Sequence, residues 1–230
     1  MKLKKNYKLV IAADGGAASG KTTGAKRISK KYGLKFLSSG LLYRYASYQL
    51  LKYKPKSHIL YLKKCFKTLT LKKLNNKNLH SPEISAHASI IAKEKKIRSI
   101  LKAFQKKFAK KYNKVCIEGR DINYAILPKA DIKFFFKCSL DTAATRRYKE
   151  LKKKNSKIKL KDVKKALRIR NISDTRRKNS PLLQHGDSVE IDTGKLDKSA
   201  MLAKMSKYVE RVLINKYGNW TRTKKYKPTS

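Results

Sequence analysis

Acidic residues are scarce in this chain of 230 residues. Asp and Glu number 15 against 60 Lys and Arg, so the formal net charge is +45. A field of that sign attracts polyanions, and a nucleic-acid-binding protein is therefore one interpretation of the composition. Arginine is also scarce, since it supplies only 12 of the 60 basic residues, and Arg is the side chain that favours bidentate contacts to phosphates and bases. The lysines are spread over the whole sequence, which favours a solvated basic surface, and we expect no specific nucleic-acid partner.

Cysteines and long apolar runs are few. The three cysteines have no C-x-x-C spacing and indicate free thiols in a reducing compartment, so a cytoplasmic location is expected. The four histidines show no metal-ligand spacing and are predicted to be structural or exposed. The apolar stretch behind the basic amino terminus, residues 9–13, is too short for a signal peptide. No apolar run reaches 18 residues, which predicts the absence of a membrane span.

A glycine-rich loop near the amino terminus carries the strongest functional signal. Residues 15–22 match the phosphate-loop pattern G-x-x-x-x-G-K-T, between a predicted strand at residues 7–13 and a helical pattern at residues 21–32. Small residues let the backbone N–H groups converge on an anion at the positive end of a helix. The predicted ligand is a nucleoside triphosphate, and the residues predicted to bind it are Gly15, Gly16, Ala17, Ala18, Ser19, Gly20, Lys21, Thr22 and Thr23.

Two side chains of this loop have predicted roles in the chemistry. The Lys21 ammonium is expected to reach the β and γ phosphates, and the Thr22 hydroxyl is the candidate ligand for Mg²⁺. Asp14, at the end of the strand, either ends that strand or contacts Mg²⁺ through water.

Strand and helix patterns alternate along the rest of the chain. Further strands are predicted at residues 33–37, 115–117, 131–137 and 189–193. Helices are predicted at residues 39–51, 83–111 with a break near residue 93, 140–154, 159–170 and 198–216. The alternation predicts one α/β domain with a parallel sheet of about five strands. Residues 52–82, with an alternating run at 67–71, look like a small insertion, and residues 152–156 like an exposed turn.

Charged side chains cluster at two further places. Glu118-Gly119-Arg120-Asp121 follows the strand at residues 115–117, and the carboxyl ends of strands are where open α/β sheets bind ligands. Glu118 either orients Arg120 or ends the strand. Six of the 12 arginines fall between residues 146 and 177. The two that are adjacent on a predicted helix, Arg146 and Arg147, belong either to a solvated face or to a mobile lid.

Several motifs occur together in one order, and they resemble those of bacterial cytidylate kinases. The blocks that carry the resemblance are residues 10–22, Ser39-Gly40-Leu41-Leu42-Tyr43-Arg44, Glu118-Gly119-Arg120-Asp121, residues 174–182 and Ile191-Asp192-Thr193. The matches extend over residues 9–213. The resemblance implies transfer of the γ phosphoryl group of ATP to CMP or dCMP with Mg²⁺, by a protein expected to be a monomer.

The resemblance also implies a fold and a set of site residues. The fold is that of P-loop nucleoside monophosphate kinases, a five-stranded parallel sheet flanked by helices. Its core is expected at residues 7–51, 83–151 and 187–217, with a short monophosphate-binding insertion at 52–82, a short lid at 152–182 and a basic tail at 218–230. The implied catalytic residues are Lys21, Arg170 and Arg177. The implied acceptor-binding residues are Ser39, Arg44, Ser89, Arg98, Arg120, Asp121, Asp174 and Arg177.

Within that acceptor set the implied roles differ. Phosphate would be held by Arg44, Arg120, Arg170 and Arg177, cytosine would be read by Ser89, Arg98 and Asp121, and the sugar would contact Asp174. This sequence departs from the family pattern at Gly16, where Pro is usual, at Ser38, where Asp is common, and at Asn171, where the lid pair Arg-Asp becomes Arg-Asn. The shortened insertion predicts a reduced small sheet. A kinase for another small acceptor, or a nucleic-acid-binding protein on a kinase fold, are the alternative hypotheses.

Overall fold

Five strands form a single parallel sheet at the centre of the molecule. A computed structural model describes residue 3, residues 6–153 and residues 156–218, so the predicted basic tail beyond residue 218 lies outside the described residues. The strands are β1 (Leu9–Gly15), β2 (Lys35–Ser38), β3 (Lys114–Gly119), β4 (Ile132–Lys137) and β5 (Val189–Asp192). All neighbours pair in parallel, in the order β2-β3-β1-β4-β5. The predicted five-stranded parallel sheet is confirmed, and β1 carries the glycine-rich loop at its carboxyl end.

Eight α-helices connect and cover these strands in the described part of the chain. They are α1 (Lys21–Tyr32), α2 (Ser39–Tyr53), α3 (His58–Lys67), α4 (Pro82–Ile91), α5 (Lys95–Lys111), α6 (Leu140–Lys152), α7 (Leu160–Arg176) and α8 (Lys198–Tyr217). Helices α2, α3, α4 and α6 each begin behind a serine whose hydroxyl accepts a backbone N–H of the first turn, and Asp197 does the same for α8. The predicted break near residue 93 separates α4 from α5.

Successive side chains of a strand point to opposite faces of the sheet, and helices pack on both faces. Ile11 and Ala13 of β1 pack with α1 and α8 in one core cluster, whereas Ala12 packs with α2 and α5 in the other. Helices therefore pack on both faces of the sheet, and the carboxyl ends of the strands form its open edge.

The insertion at residues 52–82 is helical, so the expectation of a small sheet there is wrong. It consists of the end of α2, α3, two short 3₁₀ turns at Leu71–Asn75 and Lys77–His80, and the start of α4. The alternating run at residues 67–71 finds no partner strand, and its apolar side chains, Leu69 and Leu71, pack against the core cluster of α2 and α5. Burial of this apolar surface against existing helices fixes the segment as helix and turn.

Helices α6 and α7 pack together above the glycine-rich loop. Ala17 of that loop is buried in a small cluster with Ala143, Ala144, Val163 and Leu167. Helix α7 continues to Arg176, beyond the predicted end at residue 170. The predicted turn at residues 152–156 falls between the two helices and lies partly outside the described residues.

Candidate active site

The loop between β1 and α1 is shaped by two glycines with positive φ. Gly15 has φ 155°, and a Cβ there would collide with the backbone and side chain of Phe136 on β4. Gly20 has φ 81° and caps α1, and its Cβ would lie 3.2 Å from Thr193. Because a side chain at either position would be both strained and crowded, the close approach of the loop to β4 and β5 requires glycine. The loop thus brings its N–H groups to the amino-terminal end of α1, where an anion is stabilised.

Lys21 is the first residue of α1, and its side chain reaches back to this loop. Its Nζ donates to the Gly16 carbonyl at 3.1 Å and lies 4.0 Å from Glu118 Oε2. Burial, reinforced by the nearby Arg120 guanidinium, lowers the pKa of Lys21 to about 7. A polyanion beside the ammonium favours the charged form and would raise that pKa. The site is therefore electrostatically prepared for a phosphate chain.

Glu118 ends β3 beside the loop. One of its oxygens accepts a hydrogen bond from the Ser38 hydroxyl at the end of β2, and the carboxylate is buried. Its contacts run to Ser38 and Lys21 rather than to Arg120, so the geometry does not support the interpretation that it orients Arg120. Within residues 6–153 and 156–218, no group of three His, Cys, Asp or Glu side chains could hold a metal ion.

Three arginines surround Asp174 on α7. Arg120 Nε donates to Oδ2 at 2.7 Å, Arg177 Nη1 lies 3.5 Å from Oδ1, and Arg170 Nε lies 4.0 Å from Oδ2. Burial alone would raise the pKa of Asp174, but the three guanidinium groups outweigh it and hold the pKa below its ordinary value. One carboxylate among three cations leaves a surplus of positive charge, which suits a phosphate group.

Asp121 and Arg98 form a buried pair at the other end of the cavity. Arg98 Nη2 donates to Asp121 Oδ2, and Arg177 Nη2 lies 3.9 Å from the other oxygen, Oδ1. The Arg98 guanidinium lies 5.8 Å from the centre of the Tyr43 ring. Ser89 on α4 faces the same space, and its hydroxyl donates to the Ser85 carbonyl at 3.2 Å. This end of the cavity offers fixed donors and acceptors beside an aromatic ring.

Arg44 on α2 faces the same cavity. Its Nη1 contacts His80 Nδ1 at 3.2 Å, and burial, together with the Arg147 charge, lowers the pKa of Arg44. Since an arginine can only donate, His80 Nδ1 is the acceptor in this contact. His80 was expected to be structural or exposed; it is exposed and also lines the cavity.

The cavity has a volume of about 1350 Å³ and brings the predicted residues together. The donor-loop residues that line it are Ala17, Ala18, Ser19, Gly20, Lys21, Thr22 and Thr23. The other predicted residues that line it are Ser39, Arg44, Ser89, Arg98, Arg120, Asp121, Arg170, Asp174 and Arg177. Gly15 and Gly16 shape the loop from behind without lining the cavity. This volume exceeds the roughly 300 to 1,000 Å³ of a typical pocket for one small ligand, and it leaves room for two nucleotides.

Two side chains have larger parts in the site than the sequence indicated. Arg146 on α6 donates to the Thr193 hydroxyl at 2.9 Å and to the Thr193 carbonyl at 2.6 Å, which decides against a solvated face. Asn171 on α7 accepts the Ala17 N–H at 3.0 Å and lies against Gly16, so two departures from the family pattern meet at one contact. The arginine cluster at residues 146–177 pointed to Arg146, and the departure from the family pattern pointed to Asn171, but neither signal indicated these contacts.

Asp14 is turned away from the cavity. Its fully buried carboxylate accepts the N–H groups of Ile122 at 2.9 Å and Asn123 at 2.7 Å. Burial outweighs these bonds and raises the pKa of Asp14 to about 7. Of the two alternatives, this favours a structural role, because the carboxylate holds the π-helical turn Ile122–Ile126 that follows Asp121.

A phosphate loop on the central strand, facing an arginine-lined cavity large enough for two nucleotides, is the arrangement that phosphoryl transfer between them requires. Fold and site therefore define a P-loop kinase. The family model for cytidylate kinase matches residues 11–211. A cytidylate kinase of Clostridium tetani (strain Massachusetts / E88) is 32% identical over 227 residues, which cover 94% of this chain and 100% of the relative. The chain belongs to the cytidylate kinase family.

Two further comparisons agree with this assignment. A cytidylate kinase of Bartonella tribocorum (strain CIP 105476 / IBS 506) is 36% identical over 209 residues, which cover 89% of this chain and 95% of the relative. Among solved structures, an uncharacterized protein from Eubacterium ventriosum ATCC 27560 matches with a TM-score of 0.52 and 18% identity, over 89% of this chain and 99% of that one. At that identity the likeness concerns the fold alone.

Proposed function

We propose that this protein transfers the γ phosphoryl group of ATP to CMP or dCMP and produces CDP or dCDP with ADP. The observation that carries the proposal is the position of the buried Arg98–Asp121 pair in the same cavity as Lys21. Donor phosphates bind at the loop, the acceptor base binds at the pair, and the arginines around Asp174 lie between them. Arg120 contacts the Gly15 carbonyl of the loop and Arg177 lies 3.9 Å from Asp121, so the two reacting phosphates would meet beside these arginines.

Cytosine fits the acceptor end for a chemical reason. Its exocyclic amine donates, whereas its ring N3 and O2 accept. The Asp121 carboxylate can accept the amine, and Arg98 and Ser89 can donate to the ring. A base that leaves one of these buried groups unpaired loses about 1 to 3 kcal/mol of binding free energy. The pair therefore discriminates against bases with a different hydrogen-bond pattern.

Charge neutralisation accounts for the rest of the catalysis. Phosphoryl transfer needs alignment of two oxygens and stabilisation of charge on the transferring group more than covalent help from the protein. Lys21, Arg170 and Arg177 are the proposed catalytic residues, and Arg44 and Arg120 hold the acceptor phosphate. Lys21, whose pKa of about 7 reflects its burial, becomes fully charged beside a phosphate.

Mg²⁺ is part of the proposal, and the residues at the loop fit it. The metal prefers oxygen ligands and retains several waters. The Thr22 hydroxyl in the first turn of α1 would hold the ion, and the Glu118 carboxylate nearby can accept hydrogen bonds from its waters. Bound there, Mg²⁺ would neutralise charge on the phosphate chain of the donor.

The other parts of the proposal concern organisation. Residues 52–82 form the monophosphate-binding insertion, and residues 152–182 close over the donor as a lid that excludes water. The protein works as a cytoplasmic monomer. In the described residues no helix has both the length and the apolar character needed to span a bilayer.

The proposal is tested by measuring ADP production from ATP and Mg²⁺ with CMP, dCMP, UMP, AMP and GMP in parallel. We expect selective turnover of CMP or dCMP, no turnover in EDTA, and a loss of at least about a hundredfold in kcat for Lys21→Ala. Lys30→Ala, on the exposed face of the same helix, is the matched control and should retain full activity. Preference for another acceptor would refute the cytidylate assignment.

A further inference from the structure

Asn171 connects helix α7 to the glycine-rich loop. Its Oδ1 accepts the backbone N–H of Ala17 at 3.0 Å, across 154 residues of sequence. A backbone N–H can only donate, so the amide oxygen must face it. The contact is half-buried and stands at the edge of the apolar cluster in which Ala17 packs against α6 and α7. It is therefore the polar part of an otherwise apolar junction.

The contact acts on the same peptide group that Lys21 touches. Lys21 Nζ donates to the Gly16 carbonyl at 3.1 Å, and Asn171 accepts from the N–H of the next residue, Ala17. Carbonyl and N–H of one trans peptide point in opposite directions. The Gly16–Ala17 peptide is thus held from two sides, by the loop lysine on one and by helix α7 on the other.

The residue before Asn171 in the chain is Arg170. Its guanidinium faces the cavity and lies 4.0 Å from Asp174 Oδ2. Burial and the Arg120 charge lower the pKa of Arg170 to about 10, so it stays charged at neutral pH but is repelled by its neighbours. Arg170 and Asn171 are neighbours on α7, so the Asn171 contact fixes the position of the helix that carries the Arg170 guanidinium relative to the loop.

We propose that Asn171 is a positioning residue for phosphoryl transfer. Its amide oxygen tethers α7 to the Gly16–Ala17 peptide and so fixes the distance between Arg170 and Lys21, the two cations that act on the transferring group. The inference rests on the proposed kinase function. Asn171 itself does not line the cavity, so it would act through Arg170.

Two isosteric substitutions test the tether. Asn171→Leu keeps the shape and removes the acceptor, whereas Asn171→Asp keeps the acceptor. One hydrogen bond of ordinary strength predicts a loss of about fivefold in kcat for the Leu variant, with the KM values for ATP and CMP within about twofold. The Asp variant should stay within about twofold of wild type. Asn113→Leu, exposed at the far end of the sheet before β3, is the control.

A double-mutant cycle separates positioning from a purely structural role. If Asn171 acts through Arg170, then Asn171→Leu has no further effect on kcat once Arg170→Ala is present. Two independent losses that multiply would overturn the proposal. So would a Leu variant with wild-type kcat, or an Asp variant as slow as the Leu variant. Asn171→Ala replaces Leu in the same cycle if the Leu variant does not fold.

Hydrogen exchange provides a readout that needs no turnover. The Ala17 amide should exchange about tenfold faster in Asn171→Leu than in wild type or Asn171→Asp, because the hydrogen bond that protects it is lost. If the Ala17 amide exchanged at the same rate in Asn171→Leu as in wild type, the proposed tether would be refuted even if the enzyme were active. Conversely, a wild-type protein that phosphorylates no nucleotide would refute the proposed function. The exchange experiment would still show whether Asn171 protects the Ala17 amide.

Discussion

Substitution of Arg98 should destabilise the protein, and a second substitution at its partner Asp121 should restore part of the lost stability. The Arg98 and Asp121 side chains are 9% and 7% exposed, so solvent screens their interaction little. Breaking a buried pair from one side costs about 3 to 5 kcal/mol, because a charge remains unpaired in a region of low dielectric. Arg177, 3.9 Å from Asp121, compensates in part, so we expect about 3 kcal/mol for Arg98→Met.

The double variant Arg98→Met/Asp121→Asn should recover part of that loss. It removes both charges and leaves neutral groups of similar size, and the recovered coupling is expected to be about 2 kcal/mol. The bond from Arg98 to the Ala92 carbonyl, 3.1 Å long, is lost in both backgrounds and cancels in the cycle.

Thermal and urea denaturation of the four proteins measure these free energies. A loss of about 3 kcal/mol in a chain of this size lowers Tm by about 6 to 12 °C. Arg211→Met, on the exposed face of α8, controls for the loss of one positive charge and should change Tm by less than about 2 °C. Strict additivity of the two single substitutions would refute the argument, because it would mean that the buried charges do not interact.

Two further predictions concern the strand β1 and its loop. The pKa of Asp14 is raised by burial from 3.8 to about 7, so the folded state holds a proton that the unfolded state has lost between those values. The stability of wild type should therefore fall, relative to that of Asp14→Asn, as the pH rises from about 4 to 7. The same pH dependence of the free energy of unfolding in both proteins would contradict this. Gly20→Ala places a Cβ at φ 81° and 3.2 Å from Thr193. It should cost about 1 to 3 kcal/mol of stability in the same denaturation assay. A variant as stable as wild type would show that the loop relaxes freely.

Local patterns were sufficient for the donor loop and the strands. The residues at 15–22 are contiguous, and their neighbours supply the strand and helix that the loop requires, so nothing distant was needed to recognise it. Ser89 and Arg98 are different, since each lies in an ordinary helical pattern and only the resemblance to a family marked them. The structure places both in the cavity with Asp121.

Other features of the site escaped prediction because they depend on contacts between distant segments. Arg146 meets Thr193 across 47 residues, and Asn171 meets Ala17 across 154. The prediction of a small sheet in the insertion at residues 52–82 was wrong for a related reason. Alternation at residues 67–71 specifies a strand only if a partner strand is present. In this structure the apolar side chains of that run pack against helices instead.

The sequence by itself determined which segments are strands, where the phosphate loop lies, and that the chain carries a large positive charge, because these follow from neighbouring residues and composition. The tertiary structure decided the strand order and the surroundings of each charge. Lys21 and Asp14 both have pKa values of about 7, one lowered and one raised, through burial that only the packed chain produces. Electrostatic energies depend on distance and on exclusion of water, and neither quantity exists until the sheet, the helices and the loop have come together.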